Sequence, residues 1–571
     1  MGDTRALLLA VTTTVAVTGV PTWAEQAPLR SDQVVRSFDG TPLWTQLFLP
    51  LAATGAAPVP LVLRTHGWAG TADREPHGTV AQLLDAGYAV LTWDSRGFGH
   101  SGGEVQLNKP DVEGRDVSAL IDWAVDNAPI ATDTDGDPVV GLTGGSYAGA
   151  IQTAAAAIDD RIDAIAPEVS WSDLRYSLYQ GGVVNSSWGS MLYAAGVQAA
   201  RKDGLDPPAG PQTGGLAPEL HRAYAEFVAT NQLSDEALTF LADSSLARYG
   251  QDRVIDVPTL VMNGSVDTLF DLTDGNGIFQ HVRAQGAPAK YVIFCGGHVR
   301  CPYPDADDRA HLDRAILAWF ARYLDGRDVD TGPAVEYRTN EAVWRGADDF
   351  PPSSAVFVTA DGDDTVIQPG APAVDGPPSG PTTGPHTMAA PNPPGDPAAL
   401  TVEVAAADRR PLELVGVPRA TVTVTGEGPV AHLFVKLVHR EAGHVIHHQE
   451  ASLRVEHLSS DPQQFELDLP GVAYTVPEGD HLDVQVATSS TVHALARHPA
   501  RAAVRVEVTV PVVGGTAKTG GDGEVHTTGP VGDRRAPHPP SDPRWWRLAA
   551  PAAGIAIAAL AVGVVAVLRR G

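Results

Sequence analysis

The sequence predicts an α/β domain followed by an all-β domain. Up to about residue 330, short apolar runs bounded by Pro or Gly alternate with helical patterns. That alternation is typical of a mostly parallel sheet covered on both faces. From about Gly332, Pro- and Gly-rich turns separate short strand-like runs, which favours a β-sandwich or jelly roll. The 571 residues are 43% hydrophobic, so the chain can bury a core in each domain.

The α/β domain is expected over residues 30–330. Its buried strands are predicted at 59–64, 89–93, 138–143, 258–263 and 290–294. Helical patterns are found at 80–86, 116–127 and 148–159, and an amphipathic helix at 308–324 closes the domain. Between about 170 and 250 the pattern is helix-like with no obvious strand, which predicts a helical cap over one end of the sheet.

The all-β domain is expected over residues 331–512. Its strands are predicted at 420–425, 432–438, 465–469 and 504–510. A polar linker at 513–547 follows it.

Both ends of the chain resemble targeting segments. Arg5, an apolar run and Ala24 predict a signal peptide over 1–24, although a buried helix or an uncleaved anchor would share this pattern. Residues 548–568 carry no charge and precede two arginines, which predicts a transmembrane helix with the arginines in the cytoplasm. A buried core helix is the alternative. We therefore expect an exported protein, anchored in the cell membrane with the body of the protein on the outer face.

The formal net charge of −28 argues against a nucleic-acid partner, because a phosphate-binding surface needs an excess of Lys and Arg. An acidic surface does not identify a substrate. The sequence also leaves the oligomeric state undetermined.

A candidate nucleophile follows the third predicted strand. Residues 144–149 read Gly-Gly-Ser-Tyr-Ala-Gly and lead into a helix of small residues. A serine on a tight strand-to-helix turn needs small neighbours two positions away on either side, here Gly144 and Ala148. The motif is weak alone, but its position between strand and helix makes Ser146 the predicted nucleophile.

The partners of this serine are predicted from chain order. A serine hydroxyl needs a base to take its proton, and the base needs an orienting acid. In α/β-hydrolases the order is Ser, then Asp, then His, each after a strand. Asp267 and His298 follow the next two predicted strands, so Ser146, Asp267 and His298 are the predicted catalytic triad. A turn-capping aspartate and an ordinary loop histidine are the alternatives.

The oxyanion hole requires backbone N–H donors. The amide of Tyr147, beside the nucleophile, is one candidate, and the amide of Trp68, after an early strand, is the other. His66 precedes Gly67, and we assign it a turn-stabilising role instead of that of a base.

Cys295 and Cys301 are the two cysteines of the chain and bracket His298. In an exported protein they predict a disulfide that holds the histidine loop. Too few ligands are visible for a metal site, and no cofactor is expected. Whether the Asp-rich loop 133–137 binds calcium is left open, since it lacks the distal Glu of an EF-hand.

Several stretches together resemble the X-Pro dipeptidyl-peptidase and cocaine-esterase family of hydrolases. The resemblance rests on residues 144–149 and on Trp-Asp-Ser-Arg-Gly-Phe-Gly-His-Ser-Gly at 93–102. Three further stretches and one histidine fit: 263–270, His298, 318–324 and 410–416. The resemblance covers roughly residues 30–512. It implies an α/β-hydrolase domain with a helical cap and a C-terminal jelly roll. It also places nucleophile, acid and base on the same three residues.

One departure concerns the oxyanion hole. Members of this family often carry a Pro-Tyr pair after the early strand, and that tyrosine hydroxyl helps to bind the oxyanion. This chain has Gly67-Trp68 there, so the family's substrate preferences need not transfer.

The expected reaction is hydrolysis of a peptide or ester through an acyl-enzyme. A dipeptidyl-peptidase needs an anionic contact for the substrate amine and a pocket for proline, and the candidates in or near the cap are Glu168, Asp173, Trp171 and Trp188. Ordinary core and surface roles are the alternative for these four residues. An acyl esterase needs only an apolar pocket. The resemblance favours the peptidase slightly, and an inactive surface binding protein is a third hypothesis.

Overall fold

The α/β domain is built on a ten-stranded sheet in the computed structural model, which describes residues 29–133, 136–200, 214–370 and 392–513. The predicted signal peptide, the linker and the 548–568 segment lie outside these ranges. Within them, no helix has the length and apolar character needed to cross a bilayer.

The strands of the first 350 residues are β1 (Leu29–Arg36), β2 (Pro42–Leu49), β3 (Leu61–Arg64), β4 (Ala89–Trp93), β5 (Gly103–Val105), β6 (Val140–Gly145), β7 (Ile162–Glu168), β8 (Gly214–Leu216), β9 (Thr259–Gly264), β10 (Ala289–Phe294), β11 (Val335–Arg338) and β12 (Trp344–Ala347). The helices are α1 (Gly78–Asp85), α2 (Arg115–Asn127), α3 (Tyr147–Ala156), α4 (Leu174–Tyr179), α5 (Ser186–Ala199), α6 (Pro218–Thr230), α7 (Asp235–Asp243), α8 (Leu246–Tyr249), α9 (Leu272–Ala284) and α10 (Asp308–Tyr323).

The centre of this sheet is parallel and its edges are antiparallel. The order is β1-β2-β4-β3-β6-β7-β9-β10-β11-β12, with parallel pairing from β4 through β11. Strands β4 and β9 are buried along their whole length, which explains their continuous apolar sequences. The predicted α/β-hydrolase architecture with a C-terminal β domain is confirmed.

The structure differs from the sequence prediction at several strands. β7 was missed because Asp163 and Pro167 interrupt its apolar run, yet it lies at the centre of the sheet. The Asp163 carboxylate accepts a hydrogen bond from the Val140 amide at 2.7 Å. The first sheet also continues past residue 331, since β11 pairs with β10. The change in composition at Gly332 therefore marks a loop before β11 and not the end of the sheet.

The cap consists of α4 to α8 together with one short strand that the sequence pattern did not predict. That strand, β8, pairs in parallel with β5 of the α/β domain. The cap is thus attached to the sheet region through backbone hydrogen bonds as well as through side-chain packing.

The second domain is a β-sandwich around its own apolar core. Its strands are β13 (Val356–Gln368), β14 (Leu400–Ala406), β15 (Leu412–Gly416), β16 (Arg419–His439), β17 (His444–Val445), β18 (Ala451–Leu458), β19 (Gln463–Asp468), β20 (Val472–Val476), β21 (His481–Ala487) and β22 (Ala500–Val513).

One long strand joins the two layers of the sandwich. The sequence pattern predicts separate strands at 420–425 and 432–438, but both belong to β16. The first part of β16 pairs with β19 and β22, and the second part pairs with β18 and β21. Gly426 sits at the transition with φ +156°, and a Cβ there would lie 2.1 Å from the Arg501 carbonyl oxygen. Glycine therefore permits the strand to change layers.

A buried histidine makes the stability of this domain sensitive to acid. The Nδ1–H of His432 donates to the Ala494 carbonyl at 2.8 Å, and its Nε2 accepts from Arg454 at 3.0 Å. Burial, with a contribution from the Arg454 charge, lowers the pKa of His432 to about 4. The unfolded chain binds this proton near pH 6.5, so folded stability is lost as pH falls from about 6.5 toward 4.

We expect His432 to contribute about 3 kcal/mol to this loss of unfolding free energy. His432→Gln should be less stable than wild type at pH 7.5 but should lose less stability on acidification. Urea unfolding at pH 7.5 and 4.5 measures the difference. Equal losses in the two proteins would contradict the assignment.

Candidate active site

The three predicted triad residues lie on the loops that follow β6, β9 and β10. These strands run parallel, so their carboxyl ends meet at the same edge of the sheet. Ser146 and His298, which are 152 positions apart in the chain, are thereby placed at the same edge of the sheet.

The turn at Ser146 is tight and strained. Ser146 has φ 59° and ψ −119°, a conformation that costs a non-glycine residue about 1–3 kcal/mol and is typical of active sites. Gly144 has φ +150°, and a Cβ there would lie 2.7 Å from the Ala148 Cβ. A Cβ on Gly149 would lie 2.7 Å from the Ser170 Cβ. Small residues are therefore required on both sides of the serine, as the motif predicts.

The structure brings the three side chains into one hydrogen-bonded chain. The Ser146 Oγ lies 2.7 Å from the His298 Nε2, and the His298 Nδ1 lies 2.7 Å from the Asp267 Oδ2. The hydroxyl can donate to Nε2 while Nδ1–H donates to the carboxylate. This arrangement can pass a proton from serine to imidazole.

The Asp267 carboxylate is fully buried and has several donors. Its Oδ1 accepts from the amides of Leu269 (2.9 Å) and Phe270 (3.2 Å), and its Oδ2 also accepts from the His298 amide at 2.9 Å. Gly297 has φ +115°, and a Cβ there would lie 2.4 Å from Oδ2. The carboxylate is therefore fixed from both sides before any substrate binds.

The His298 loop is held by a disulfide and by aromatic rings. Cys295 and Cys301 are joined, with their Cα atoms 5.2 Å apart, so the predicted pairing is present. The rings of Trp188 and Phe270 meet the imidazole edge-to-face at 5.7 and 5.3 Å. Together they restrict the orientation of the imidazole.

The predicted oxyanion-hole residues flank Ser146. The Tyr147 amide lies in the first turn of α3, where backbone N–H groups lack an intrahelical acceptor. Burial raises the pKa of the Tyr147 hydroxyl, so this side chain is neutral. Gly67 packs beside the serine, since a Cβ there would lie 3.8 Å from the Ser146 Cβ. Trp68 follows directly in the chain and lines the same cavity as Ser146.

The side chains around Trp68 have structural roles. The Trp68 indole Nε1–H donates to the Leu192 carbonyl in α5 at 2.8 Å, so it is directed into the cap. The His66 Nδ1 lies 2.7 Å from the Gly67 carbonyl, and its Nε2 accepts from the Ser95 amide at 3.0 Å. Burial lowers the pKa of His66, consistent with a neutral ring that stabilises the turn.

An apolar cavity of about 140 Å³ opens beside Ser146 beneath the cap. Its walls include Leu178, Leu220, Phe227 and Leu241. None of the described side chains that line it is charged. An engineered cavity of about 150 Å³ with similar walls binds benzene, so a group of that size fits here.

The acidic residues considered for amine binding do not line this cavity. The Glu168 carboxylate accepts from Arg309 at 3.0 and 3.1 Å. Asp173 caps α4 and forms an ion pair with Arg175 at 2.8 Å. Each carboxylate already has a cationic partner, and neither lines the cavity beside the nucleophile.

The two tryptophans proposed with them lie near the site. Trp171 lines the cavity and donates to the Ser244 carbonyl at 2.8 Å. Trp188 donates to the Thr268 hydroxyl at 3.0 Å, beside the catalytic-acid candidate. Sequence reasoning missed Gln449, whose amide donates to the Asp267 carbonyl at 2.6 Å. No local pattern signals that contact, because the two residues are 182 positions apart.

Comparison with known proteins identifies the family. Residues 39–300 match the family model of X-Pro dipeptidyl-peptidase (S15 family), and residues 327–502 match that of the X-Pro dipeptidyl-peptidase C-terminal non-catalytic domain. The chain belongs to this family of hydrolases. It is a serine hydrolase of the peptidase and esterase type, and the predicted resemblance is confirmed.

Solved structures share the fold of this hydrolase at low sequence identity. An aminopeptidase from a marine sediment Thaumarchaeota archaeon aligns with TM-score 0.65 and 15% identity, over 88% of this chain and 99% of the other. An alpha-amino acid ester hydrolase aligns with TM-score 0.65 and 16% identity, over 88% and 100%. A CocE/NonD family hydrolase from Staphylococcus aureus aligns with TM-score 0.59 and 14% identity, over 88% of this chain and 99% of the other. At these identities the likeness concerns the fold.

One curated relative shares a short segment with this hydrolase. An uncharacterized 31.7 kDa protein from Escherichia coli, in the traX-finO intergenic region, is 31% identical over 114 residues. The match covers 20% of this chain and 38% of the relative.

Proposed function

We propose that this hydrolase cleaves esters of uncharged, apolar acyl groups through an acyl-enzyme on Ser146. The observation that carries the proposal is the cavity beside the nucleophile, whose described lining contains no charged side chain. In this assignment His298 is the base, Asp267 orients it, and no cofactor takes part.

The proposed steps follow from the geometry of the triad. The Ser146 Oγ attacks the ester carbonyl carbon while its proton moves to the His298 Nε2, 2.7 Å away. The amides of Tyr147 and Trp68 stabilise the oxyanion that forms. The C–O bond of the ester then breaks, and Nε2–H donates its proton to the leaving alkoxide. Water, deprotonated by the same imidazole, cleaves the acyl-enzyme and restores the serine.

The cavity discriminates against a free α-ammonium group. A buried charge without a partner costs several kcal/mol, and the acidic candidates Glu168 and Asp173 are already paired with arginines. Hydrolysis of X-Pro dipeptides is the second candidate function, because the matched family model carries that name and a proline ring is apolar. It requires an anionic contact that the described lining does not supply.

A matched substrate pair tests the proposal. The nitrophenyl esters of phenylpropanoic acid and of phenylalanine differ only in the α-amino group. We expect kcat/KM to be at least about 100-fold higher for the phenylpropanoate, corresponding to about 2.7 kcal/mol. The N-acetyl-phenylalanine ester, which is uncharged, serves as the control for bulk at the α-carbon.

Chromogenic dipeptide amides complete the comparison. Release of nitroaniline from Ala-Pro or Gly-Pro nitroanilide should be slower than hydrolysis of the apolar ester. A higher kcat/KM for Ala-Pro nitroanilide would overturn the ester assignment in favour of the dipeptidyl-peptidase.

We further propose that the protein is exported and anchored in the cell membrane, with the catalytic domain on the outer face. The signal-peptide pattern at 1–24 and the uncharged segment at 548–568 support this. The Cys295–Cys301 disulfide is also consistent with an oxidising compartment.

A further inference from the structure

A side chain of the β domain contacts the catalytic-acid candidate. The Gln449 Nε2–H donates to the main-chain carbonyl of Asp267 at 2.6 Å. We infer that Gln449 is a positioning residue for Asp267, so that the domain matched by a non-catalytic family model contributes to the turnover rate. The inference rests on the catalytic role proposed for Asp267.

The acid loop is held from outside at its backbone. The Asp267 carboxylate is bonded within its own loop and to His298, but the carbonyl of the same residue accepts from the β domain. The next residue, Thr268, accepts from Trp188 at its hydroxyl and from Asn185 at its carbonyl. The chain segment Asp267–Thr268 is thus held jointly by the β domain and the cap.

The backbone that presents Gln449 is strained. His447 and His448 have φ 57° and 59°, a left-handed conformation that costs non-glycine residues about 1 kcal/mol or more each. The His447 ring is buried, and neither ring nitrogen has a hydrogen-bond partner within the described part of the chain. Strain of this kind persists where the surrounding structure imposes it, and here it immediately precedes the residue that contacts the acid loop.

The residue after Gln449 is anchored by buried charges. The Glu450 carboxylate lies 3.0 Å from the Lys436 Nζ and 2.9 Å from the His493 Nδ1. Burial alone would raise the pKa of Glu450, but the Lys436 charge and the His493 hydrogen bond hold it below its usual range. Gln449 lies between the ion-paired Glu450 and the strained residues His447 and His448. Its backbone therefore has little freedom to move.

Small displacements of the catalytic acid lower the reaction rate. Catalytic geometry that is misplaced by about 1 Å can cost about 100-fold in rate. The contact of Gln449 is one step removed from the imidazole, and a polar cavity of about 30 Å³ already lies beside it. That volume is enough for a water molecule to replace part of the contact. A partial loss of turnover is therefore expected when the donor is removed.

The test compares two glutamines at the domain boundary. Gln449→Met keeps the length of the side chain and removes its donor, whereas Gln449→Lys supplies a new donor. Gln180 bonds to the β domain through Asp468 and Ser452 but does not touch the triad, so Gln180→Met is the matched control. Thermal unfolding of each variant measures any loss of fold.

We expect Gln449→Met to lower both kcat and the rate of labelling by a fluorophosphonate about 10-fold, with KM within about twofold. Gln449→Lys should recover most of that loss, and Gln180→Met should leave both rates unchanged. Labelling does not depend on the acyl pocket, so an error in the proposed substrate would not affect it.

Three results would overturn the inference. They are wild-type rates in Gln449→Met, equal losses in Gln449→Met and Gln180→Met, and no recovery in Gln449→Lys. If wild type itself labels no faster than Ser146→Ala, the proposed catalytic function fails and takes this inference with it.

Discussion

Ser146→Ala should lower kcat for ester hydrolysis by about 10⁴- to 10⁶-fold and abolish labelling by a fluorophosphonate. The methyl side chain cannot attack a carbonyl, and no other hydroxyl is recorded within hydrogen-bonding distance of the His298 Nε2 among the described residues. The residual rate would come from the oxyanion donors and from substrate binding alone. Initial rates with nitrophenyl hexanoate and gel-based labelling measure the two effects.

Ser170→Ala is the matched control for that variant. Ser170 follows β7, is buried, and its hydroxyl has no hydrogen-bond partner among the described residues, so its removal should leave turnover unchanged. Equal labelling of wild type and Ser146→Ala would contradict the catalytic assignment. It would favour a surface binding protein without turnover.

Asp267→Asn should lower kcat by about 10³- to 10⁴-fold while KM changes little. The carboxylate accepts from four N–H groups, on Leu269, Phe270 and twice on His298. An amide has one acceptor oxygen, so its NH₂ group must face at least one of these donors. If it faces His298, the imidazole takes the tautomer with the proton on Nε2 and cannot accept from serine. Steady-state kinetics at pH 8 measure the loss.

Asp271→Asn serves as the control for the loss of a buried carboxylate nearby. Asp271 caps α9 and accepts from the Tyr176 hydroxyl at 2.8 Å, and burial raises its pKa to about 6. Asparagine is also a good N-cap, so this variant should keep kcat within about 10-fold of wild type. A loss as large as that of Asp267→Asn would assign the effect to the fold of the loop and not to the imidazole.

The elements nearest the chemistry could be predicted because their signals are local. A strand buried on both faces is continuously apolar, as in β4 and β9, and the nucleophile turn requires small residues at fixed offsets from Ser146. β7 was missed because Asp163 and Pro167 break its pattern, although its backbone pairs with β6 and β9. The predicted end of the first sheet, at residue 330, was wrong because β11 also pairs with β10. The composition of a loop does not reveal with which sheet the following strand pairs.

The sequence by itself therefore determined the two-domain architecture, the family, the nucleophile motif and the chain order of acid and base. Only the tertiary structure decided that Glu168 and Asp173 are neutralised by arginines, that the pocket lining is uncharged, and that Gln449 contacts the acid loop. Local patterns record the conformation and burial of neighbouring residues. A pairing between side chains far apart in the chain depends on how whole elements pack, and no short stretch of sequence encodes it.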